Sequence, residues 1–324
     1  MNILFDGNYL YHRNFSIFST YYKDEDIGAI LQDKEKQQVL LRKCIIDLCH
    51  TVRKFENVER VVFVIDSRSW RYGLYDNYKY ALTRVREPYY KDFLAVLQQL
   101  EELLKSRGII VSRVDGAEGD DLLYVWSIYF GYILDQETVI VTGDSDLRQI
   151  ITKNVNLFNN NSKNLKLYCL QEKEVYWNEK MESDVQVHVT NPFEVLLYKV
   201  IMGDGSDNII KLKKGFGDKA FEKFIKYITP YNEPKNIDIV PMAQWIACRF
   251  SDFTKMNEEQ VLGQVLFNLK MTWLNLSVYN SMDYQTENGK SLLENMLDDV
   301  NNQKNKYSYN KPYTLEDFYN MIIK

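Results

Sequence analysis

Residues 2–13, NILFDGNYLYHR, carry the pattern that decides the fold, because a short apolar run ends abruptly at Asp6. The pattern recurs at residues 60–66 (RVVFVID) and 138–144 (TVIVTGD), where an apolar run again leads to an aspartate. Such runs, separated by segments of helical periodicity, are typical of buried parallel strands in an α/β protein. We therefore predict a mostly parallel central sheet with helices on both faces. The carboxyl ends of its strands form a ligand crevice, so acids that follow the strands should lie close together.

Nine acids in the first 207 residues follow strands or stand in short clusters, namely Asp6, Asp66, Glu118, Asp120, Asp121, Asp144, Asp146, Asp204 and Asp207. Any one cluster could simply cap a helix. Together they would repel strongly, since two like charges about 4 Å apart cost about 4 kcal/mol at an effective dielectric near 20. Hard divalent cations, Mg²⁺ or Mn²⁺, would neutralise the set. The 3 His and 4 Cys show no zinc-ligand spacing,.

The composition is that of a globular protein, with 45% hydrophobic and 26% charged residues in 324. No apolar run reaches the roughly 18 residues of a membrane helix, and MNILFDGN does not begin like a signal peptide,. We expect a cytoplasmic protein without membrane contact. The net charge of −5 does not exclude a polyanionic partner. Nine of the 45 acids belong to the predicted metal site, which leaves 36 against 40 Lys and Arg,.

Three regions follow from the pattern along the chain. We predict that residues 1–190 form the α/β domain and residues 191–280 a helical region. Residues 281–324 are polar, end in the apolar cluster EDFYNMIIK, and are predicted to form a tail.

Residues 203–221, GDGSDNIIKLKKGFGDKAF, join two predicted helices through a glycine-rich turn. Gly215 and Gly217 would let a partner approach the backbone closely, and the second helix would offer free N–H groups to a phosphate. Cationic donors flank them at Lys211, Lys213, Lys214 and Lys219. We therefore predict, within residues 198–228, a helix–hairpin–helix module that holds a nucleic-acid duplex by its backbone.

Residues 68–91, RSWRYGLYDNYKYALTRVREPYYK, interleave cations with aromatic side chains. Aromatic faces stack on unpaired bases while cations contact phosphates, so the segment is a candidate nucleic-acid surface. The residues predicted to bind are Arg68, Arg71, Tyr78, Lys79 and Arg84. The alternative is an aromatic-rich surface segment that packs on the domain.

FDGNYLYHR, IDSRSWR…YK, EGDDLL, TGDSDL and GDGSDNI…GFGDK together resemble the motifs of the 5′-nuclease superfamily, over about residues 1–280. Its members include flap endonucleases, the 5′-nuclease domain of bacterial DNA polymerase I and phage 5′ exonucleases. In size and order of motifs the chain is similar to the RNase H of T-even bacteriophages. The resemblance implies a PIN-like sheet and two metal ions. One ion would be held by Asp6, Asp66, Glu118 and Asp120. The other would be held by Asp144, Asp146 and Asp207, with Asp121 and Asp204 acting through water.

The resemblance also implies an arch or clamp at residues 68–91 that selects a free 5′ end. Lys79 matches the lysine that contacts the scissile phosphate, and Arg84 follows it at a wider spacing than the family's arch arginine. The expected catalytic residues are therefore Asp66, Asp120, Lys79 and Arg84. The family often holds K⁺ at the hairpin, but IIKLKK lacks the usual proline, so that site is left open.

The implied activity is 5′→3′ exonuclease and 5′-flap endonuclease action on nicked, gapped or flapped DNA and on RNA primers in RNA·DNA hybrids. We expect a monomer whose tail contacts a replication protein, such as a single-strand-binding protein or a clamp. Two alternatives are a PIN-like ribonuclease, which lacks the GDGSDN…GFGDK module, and a non-catalytic DNA-junction binder. A non-catalytic junction binder would have no need to hold repelling carboxylates together, and the nine acids therefore count against it.

Overall fold

The computed structural model describes residues 1–79, 88–161, 164–171, 185–231, 238–286 and 288–306. A seven-stranded sheet lies at its centre, in the order β3-β2-β1-β4-β5-β6-β7. Every neighbouring pair is parallel except β5 and β6. The strands are β1 (Asn2–Asp6), β2 (Arg60–Val64), β3 (Ile110–Ser112), β4 (Thr138–Val141), β5 (Val155–Asn161), β6 (Asn164–Cys169) and β7 (Val185–Val189).

The three parallel strands predicted to end at or just before Asp6, Asp66 and Asp144 are confirmed as β1, β2 and β4. The edge strand β7 was missed by the sequence analysis. Val187 and Val189 of this strand are exposed. The strand therefore lacks the run of apolar residues by which a buried strand is recognised in a sequence.

Helices account for most of the remaining described residues. They are α1 (Gly7–Tyr21), α2 (Ile27–Gln32), α3 (Lys34–Val52), α4 (Tyr90–Ser106), α5 (Gly119–Ser127), α6 (Pro192–Met202), α7 (Asp218–Ile228), α8 (Ile239–Thr254), α9 (Glu258–Thr272), α10 (Leu276–Asn280) and α11 (Leu292–Lys306). The segment after β4, Asp146–Ile150, forms only a 3₁₀ turn. Across the described ranges, none of the helices has both the length and the apolar character to cross a bilayer.

The two faces of the sheet carry separate cores, because successive side chains of a strand point to opposite faces. On one face, Ile3 and Phe5 of β1 pack among the apolar side chains of α1–α4. On the other face, Leu4 packs with side chains of α5–α11. Helices on both faces of a mostly parallel sheet are the predicted architecture.

The helical region shares its core with the sheet, so residue 190 does not mark a separate folding unit. Val200 of α6, Phe250 of α8 and Leu269 of α9 lie in the same apolar cluster as Leu4.

The prediction of a polar tail from residue 281 is wrong for its first part. Leu292, Met296 and Val300 of α11 are buried in that cluster, and the helix contacts α5 and β3. These apolar side chains recur at helical spacing among polar residues, and this amphipathic pattern was overlooked. The terminal cluster EDFYNMIIK lies outside the described residues.

Candidate functional site

The predicted acids meet along the carboxyl edge of the sheet. Asp6 ends β1, Asp66 follows β2, and Asp144 follows β4. These strands are neighbours, with Phe5 paired to Phe63 on one side and to Val141 on the other. Parallel pairing therefore places three acids that are far apart in sequence at one edge.

Asp6 is held by α1, which follows it, and by Thr142, which follows β4. One carboxylate oxygen accepts a hydrogen bond from Tyr9 N at 2.8 Å and so caps α1, and the other accepts from Thr142 Oγ1 at 2.7 Å. Burial, followed by the charge of Asp66, raises the pKa of Asp6 to about 7, and Asp144 adds to the rise. Asp6 is thus a carboxylate whose negative charge is poorly compensated by the protein alone.

Asp66 is bonded to the first residue of α5, and Asp120 is the next residue of that helix. Gly119 N donates to Asp66 Oδ1 at 2.6 Å, and a Cβ at Gly119 would lie only 2.7 Å from that oxygen. The glycine therefore permits the close approach of strand and helix. Burial raises the pKa of Asp66. It also raises that of Asp120 well above the ordinary range, with further contributions from Asp144, Asp6 and Asp66.

Glu118 stands at the N-terminus of α5 and is held by cations. Its Oε2 accepts from Arg71 Nη1 at 2.7 Å and from Ser69 Oγ at 2.8 Å, and its Oε1 pairs with the Lys79 ammonium. Burial opposes ionisation, but the charges of Arg71 and Lys79 outweigh it and lower the pKa of Glu118 to about 2. Glu118 is therefore ionised and its orientation is fixed.

Asp121 does not join the acid edge, so the prediction that it contributes to metal binding through water is wrong. Arg71 Nη2 donates to its Oδ1 at 2.9 Å, and Arg71 Nη1 donates to its Oδ2 at 3.0 Å. Trp70 Nε1 and the Tyr279 hydroxyl also donate to it, at 3.2 and 2.9 Å. Asp121 is fully buried, and its oxygens serve this internal network.

The prediction that Arg71 and Tyr78 contact nucleic acid is also wrong. Arg71 is only 3% exposed, and its remaining donor, Nε, bonds Met271 O at 2.9 Å. Tyr78 is 2% exposed, and its hydroxyl donates to Glu118 Oε2 at 2.8 Å. Both side chains orient Glu118 from beneath, so neither can meet a phosphate or stack on a base. Arg68 is exposed and stays a prediction, while Arg84 lies outside the described residues.

Lys79 lies at the site, between Glu118 and the glycine-rich turn. Its backbone has a φ of 51°, in the left-handed region that a non-glycine residue adopts at a cost of about 1 kcal/mol or more,. Its N–H donates to Asp207 O at 3.2 Å, which ties this conformation to the turn. Burial opposes the charge of Lys79, but Glu118 and Asp207 outweigh it and raise the pKa of Lys79.

Lys199 of α6 is a site residue that the sequence analysis missed. Its ammonium lies 2.6 Å from Asp146 Oδ2 and 2.6 Å from Asp204 Oδ2. Burial opposes ionisation of Asp204, but Lys199 and Ser206 outweigh it and lower its pKa to about 2. Burial and the charge of Asp144 raise the pKa of Asp146 to about 6 in spite of Lys199. A lone lysine in the apolar segment PFEVLLYKVIM was the available signal.

The glycine-rich turn closes on itself and presents Asp207 towards Lys79. Asp204 and Ile209 exchange two backbone hydrogen bonds, at 2.9 and 2.7 Å. Gly203 has a φ of 70°, and a Cβ there would lie 2.3 Å from Ile209 O. Burial raises the pKa of Asp207, although Lys79 opposes the rise. The turn therefore requires glycine and brings its acids to the same edge as Glu118.

The predicted helix–hairpin–helix is present as α6, the turn and α7, and Gly215 has a φ of 79°. Its lysines differ in their surroundings. Lys213 Nζ donates to Thr254 O at 3.2 Å, and Lys211 Nζ donates to Phe216 O at 3.4 Å. Lys214 and Lys219 are exposed, as is Gly217. Contacts of this module with nucleic acid stay predictions.

The donor set fits a hard divalent cation, because it consists of carboxylates with uncompensated negative charge, as the raised pKa values of Asp6, Asp66 and Asp120 indicate,. In the parts of the chain described, no three His, Cys, Asp or Glu side chains converge on one point. The Lys79 ammonium pairs with Glu118, and the Lys199 ammonium lies between Asp146 and Asp204.

A protein-family model described as "5′-3′ exonuclease, N-terminal resolvase-like domain" matches residues 1–182. The chain therefore belongs to the 5′-3′ exonuclease family, within the 5′-nuclease superfamily that the motifs predict.

Two curated relatives show the extent of the similarity. A 5′-3′ exonuclease of Buchnera aphidicola is 28% identical over 65% of this chain and 68% of its own length. A 5′-3′ exonuclease of Mycoplasma genitalium is 27% identical over 74% of this chain and 76% of its own length.

Among solved structures, the T5 5′-exonuclease with bound zinc aligns with a TM-score of 0.59 at 17% identity, over 94% of this chain and all of that one. The T5 flap endonuclease in a complex with DNA and metal ions gives 0.56 at 16% identity, over 94% of this chain and 99% of that one. These likenesses confirm the predicted fold class.

Proposed function

We propose that this protein is a divalent-metal-dependent 5′→3′ exonuclease and 5′-flap endonuclease that hydrolyses phosphodiesters in DNA and in RNA primers of RNA·DNA hybrids during replication. The observation that carries the proposal is the convergence of acids at the ends of neighbouring parallel strands. Burial, with the charges of Asp144, Asp6 and Asp66, raises the pKa of Asp120 there. Such an arrangement is unfavourable for the protein alone, and a reaction that depends on bound cations explains why these acids are held together.

The carboxylates divide into two groups that could each hold a metal ion. Asp6, Asp66, Asp120 and Glu118 stand around the ends of β1 and β2 and the start of α5. Asp144, Asp146, Asp204 and Asp207 stand on the side of α6 and the glycine-rich turn. Divalent ions bound there would lower the pKa of a water nucleophile and stabilise the leaving oxygen of an in-line displacement. Mg²⁺ or Mn²⁺ suits the all-oxygen donor set.

Lys79 supplies a protein cation beside these carboxylates. Its ammonium now pairs with Glu118, at the edge where a scissile phosphate would lie. When a phosphate arrives, Lys79 can exchange Glu118 for a phosphate oxygen and so stabilise the charge of the transition state. The paired form keeps the ammonium charged and in place before substrate binds.

The helix–hairpin–helix is proposed to hold the duplex part of the substrate through backbone contacts. Exposed Lys214 and Lys219, and the free N–H groups at the start of α7, suit phosphate oxygens without reading base sequence,. This recognition by charge does not require deoxyribose, which supports the inclusion of RNA·DNA hybrids among the substrates.

The test is cleavage of a 5′-flap duplex and of an RNA-primed duplex, with Mg²⁺, with Mn²⁺ and with EDTA. Cleavage with either ion, and none in EDTA, is expected. The Asp66→Asn variant should bind the flap duplex but lose at least nine-tenths of the turnover. Tight binding without cleavage under all conditions would favour the non-catalytic junction binder. Cleavage of single-stranded RNA alone would favour the PIN-like ribonuclease.

A further inference from the structure

Helix α7, the second helix of the helix–hairpin–helix, is fixed by one face and exposes the other. Phe221, Phe224 and Ile228 are buried. The Phe224 ring lies 5.7 Å from the Phe250 ring of α8, and the Phe221 ring lies 5.1 Å from the Tyr198 ring of α6, between centroids. Residues three and four apart share a face of a helix, so this packing leaves the opposite face free. The exposed face is therefore held in a fixed position relative to the hairpin.

Three lysines lie along this exposed face. Lys219, Lys223 and Lys226 are all exposed, and their intervals of four and three residues place them on one side of α7,. We call these three residues the lysine row. Because a helix rises about 1.5 Å per residue, the row is about 10 Å long. It begins in the first turn of α7, where the helix leaves the glycine-rich hairpin and its exposed Lys214.

No ion pair compensates the charge of the lysine row. Within the described ranges of the chain, none of its three ammonium groups has a carboxylate at ion-pair distance. Helix α7 has two acids of its own. Asp218 accepts a hydrogen bond from the Tyr198 hydroxyl at 2.9 Å, and Glu222 is exposed beside the row. A row of unpaired cations on a rigid helix favours a polyanion as its ligand.

The lysine row suits the backbone of a duplex better than an unpaired strand. Proteins bind unpaired strands by stacking bases on aromatic side chains. The aromatic residues of α7 point elsewhere, since Phe221 and Phe224 are buried and the Tyr227 ring lies 5.4 Å from the Phe253 ring of α8. A duplex presents phosphates to the protein, and lysines alone can contact them. Each strand carries one phosphate per about 3.4 Å of helix axis, so a row of about 10 Å can face about three phosphates.

We propose that the duplex held at the hairpin continues along α7, where the lysine row contacts about three successive phosphates of one strand. The inference rests on the proposed function, because its occupant is the duplex part of the same substrate. It adds a requirement for length, since the paired part must extend about three base pairs past the hairpin to fill the row. Affinity should therefore rise with duplex length until Lys226 is reached, and then level off.

The test compares two double variants that each lose two positive charges. Lys223→Ala with Lys226→Ala shortens the row and leaves the hairpin lysines in place. Lys23→Ala with Lys34→Ala removes two exposed lysines next to α1 and α3, which pack on the other face of the sheet. The ligand is a duplex with one unpaired 5′ overhang, so only one paired arm is present. Affinity is measured in EDTA, where no cleavage is expected, while the duplex is lengthened one base pair at a time. Urea unfolding checks that each variant is folded.

On long duplexes the row variant should bind about tenfold more weakly than the unmodified protein, with a salt dependence shallower by about 1.8, as expected for two lost phosphate contacts. On duplexes too short to pass the hairpin, the two proteins should bind equally. The control variant should match the unmodified protein at every length. Lys223→Arg with Lys226→Arg should keep the affinity, because arginine retains the charge. Glu222→Gln should tighten binding of long duplexes, because it removes the acid beside the row.

Equal affinities of the row and control variants on long duplexes would overturn the proposal. A loss that is the same at every duplex length would also overturn it, since the lysines would then act by charge at a distance and not by contact. A loss that depends on the length of the overhang would assign the row to an unpaired strand instead. Failure of the proposed function looks different. The unmodified protein would then bind these duplexes with the expected dependence on length and yet cut none of them in Mg²⁺.

Discussion

Asp6→Asn should make the metal-free protein more stable at pH 8 while it abolishes cleavage. Burial and the charges of Asp66 and Asp144 raise the pKa of Asp6 to about 7. An acid with a raised pKa destabilises the folded state whenever it is ionised there, and its removal relieves that cost. Asparagine can still accept the hydrogen bond from Tyr9 N and cap α1,.

The magnitude follows from the pKa. A rise from the usual Asp value of about 3.9 to about 7 is about three units, or about 4 kcal/mol at 1.36 kcal/mol per unit. The folded state binds a proton at Asp6 that the unfolded state has lost, so stability falls as the pH rises from about 4 to about 7. The gain from Asp6→Asn should therefore be at most about 4 kcal/mol at pH 8 and about 1.5 kcal/mol at pH 5.

The assay is urea unfolding in EDTA at pH 5 and pH 8, followed by circular dichroism. Asp24→Asn is the control, because Asp24 is an exposed acid away from the edge of the sheet. Cleavage of a 5′-flap duplex in Mg²⁺ is measured in parallel, and the substitution should leave almost no turnover. A loss of stability at pH 8, or the same gain at both pH values, would refute the claim that repulsion among these acids destabilises the metal-free site.

Three further substitutions test the cations of the site. Arg71→Met should destabilise the protein by about 3–5 kcal/mol, because Glu118 and Asp121 then lose their buried partner. A change of less than about 1 kcal/mol in urea unfolding would contradict the claim that Arg71 stabilises these two buried acids. Lys79→Ala should lower the single-turnover rate by about 10²-fold with little loss of flap binding; an unchanged rate would remove Lys79 from catalysis. Lys199→Gln removes the positive charge beside Asp146 and should raise the affinity of the metal-free protein for Mn²⁺ by about tenfold. The affinity is measured by calorimetry. Weaker binding would mean that Lys199 holds the acids in a ligating arrangement.

The segment at residues 68–79 shows where reasoning from the sequence failed. Cations that alternate with aromatic residues are expected on a nucleic-acid surface, but the same residue types suit a buried ion-pair hub. The partners that decide between the two are Asp121 and Tyr279, and both are remote in sequence. No local pattern reveals that Arg71 will be enclosed by them. Lys199 escaped notice partly for the same reason, since Asp146 is remote in sequence, although Asp204 stands only five residues after the lysine.

The sequence by itself determined the buried parallel strands that lead to acids, the sheet class and the position of most acids at the ends of strands. These features depend on local burial periodicity and on the rule that parallel strands end at a common edge. The tertiary structure alone decided which acids face the edge and which are consumed by internal ion pairs. Asp120 and Asp121 are neighbours on α5, yet successive helical residues point about 100° apart, so one joins the acid edge and the other enters the core,. That division depends on packing between distant elements, and no single stretch of sequence encodes it.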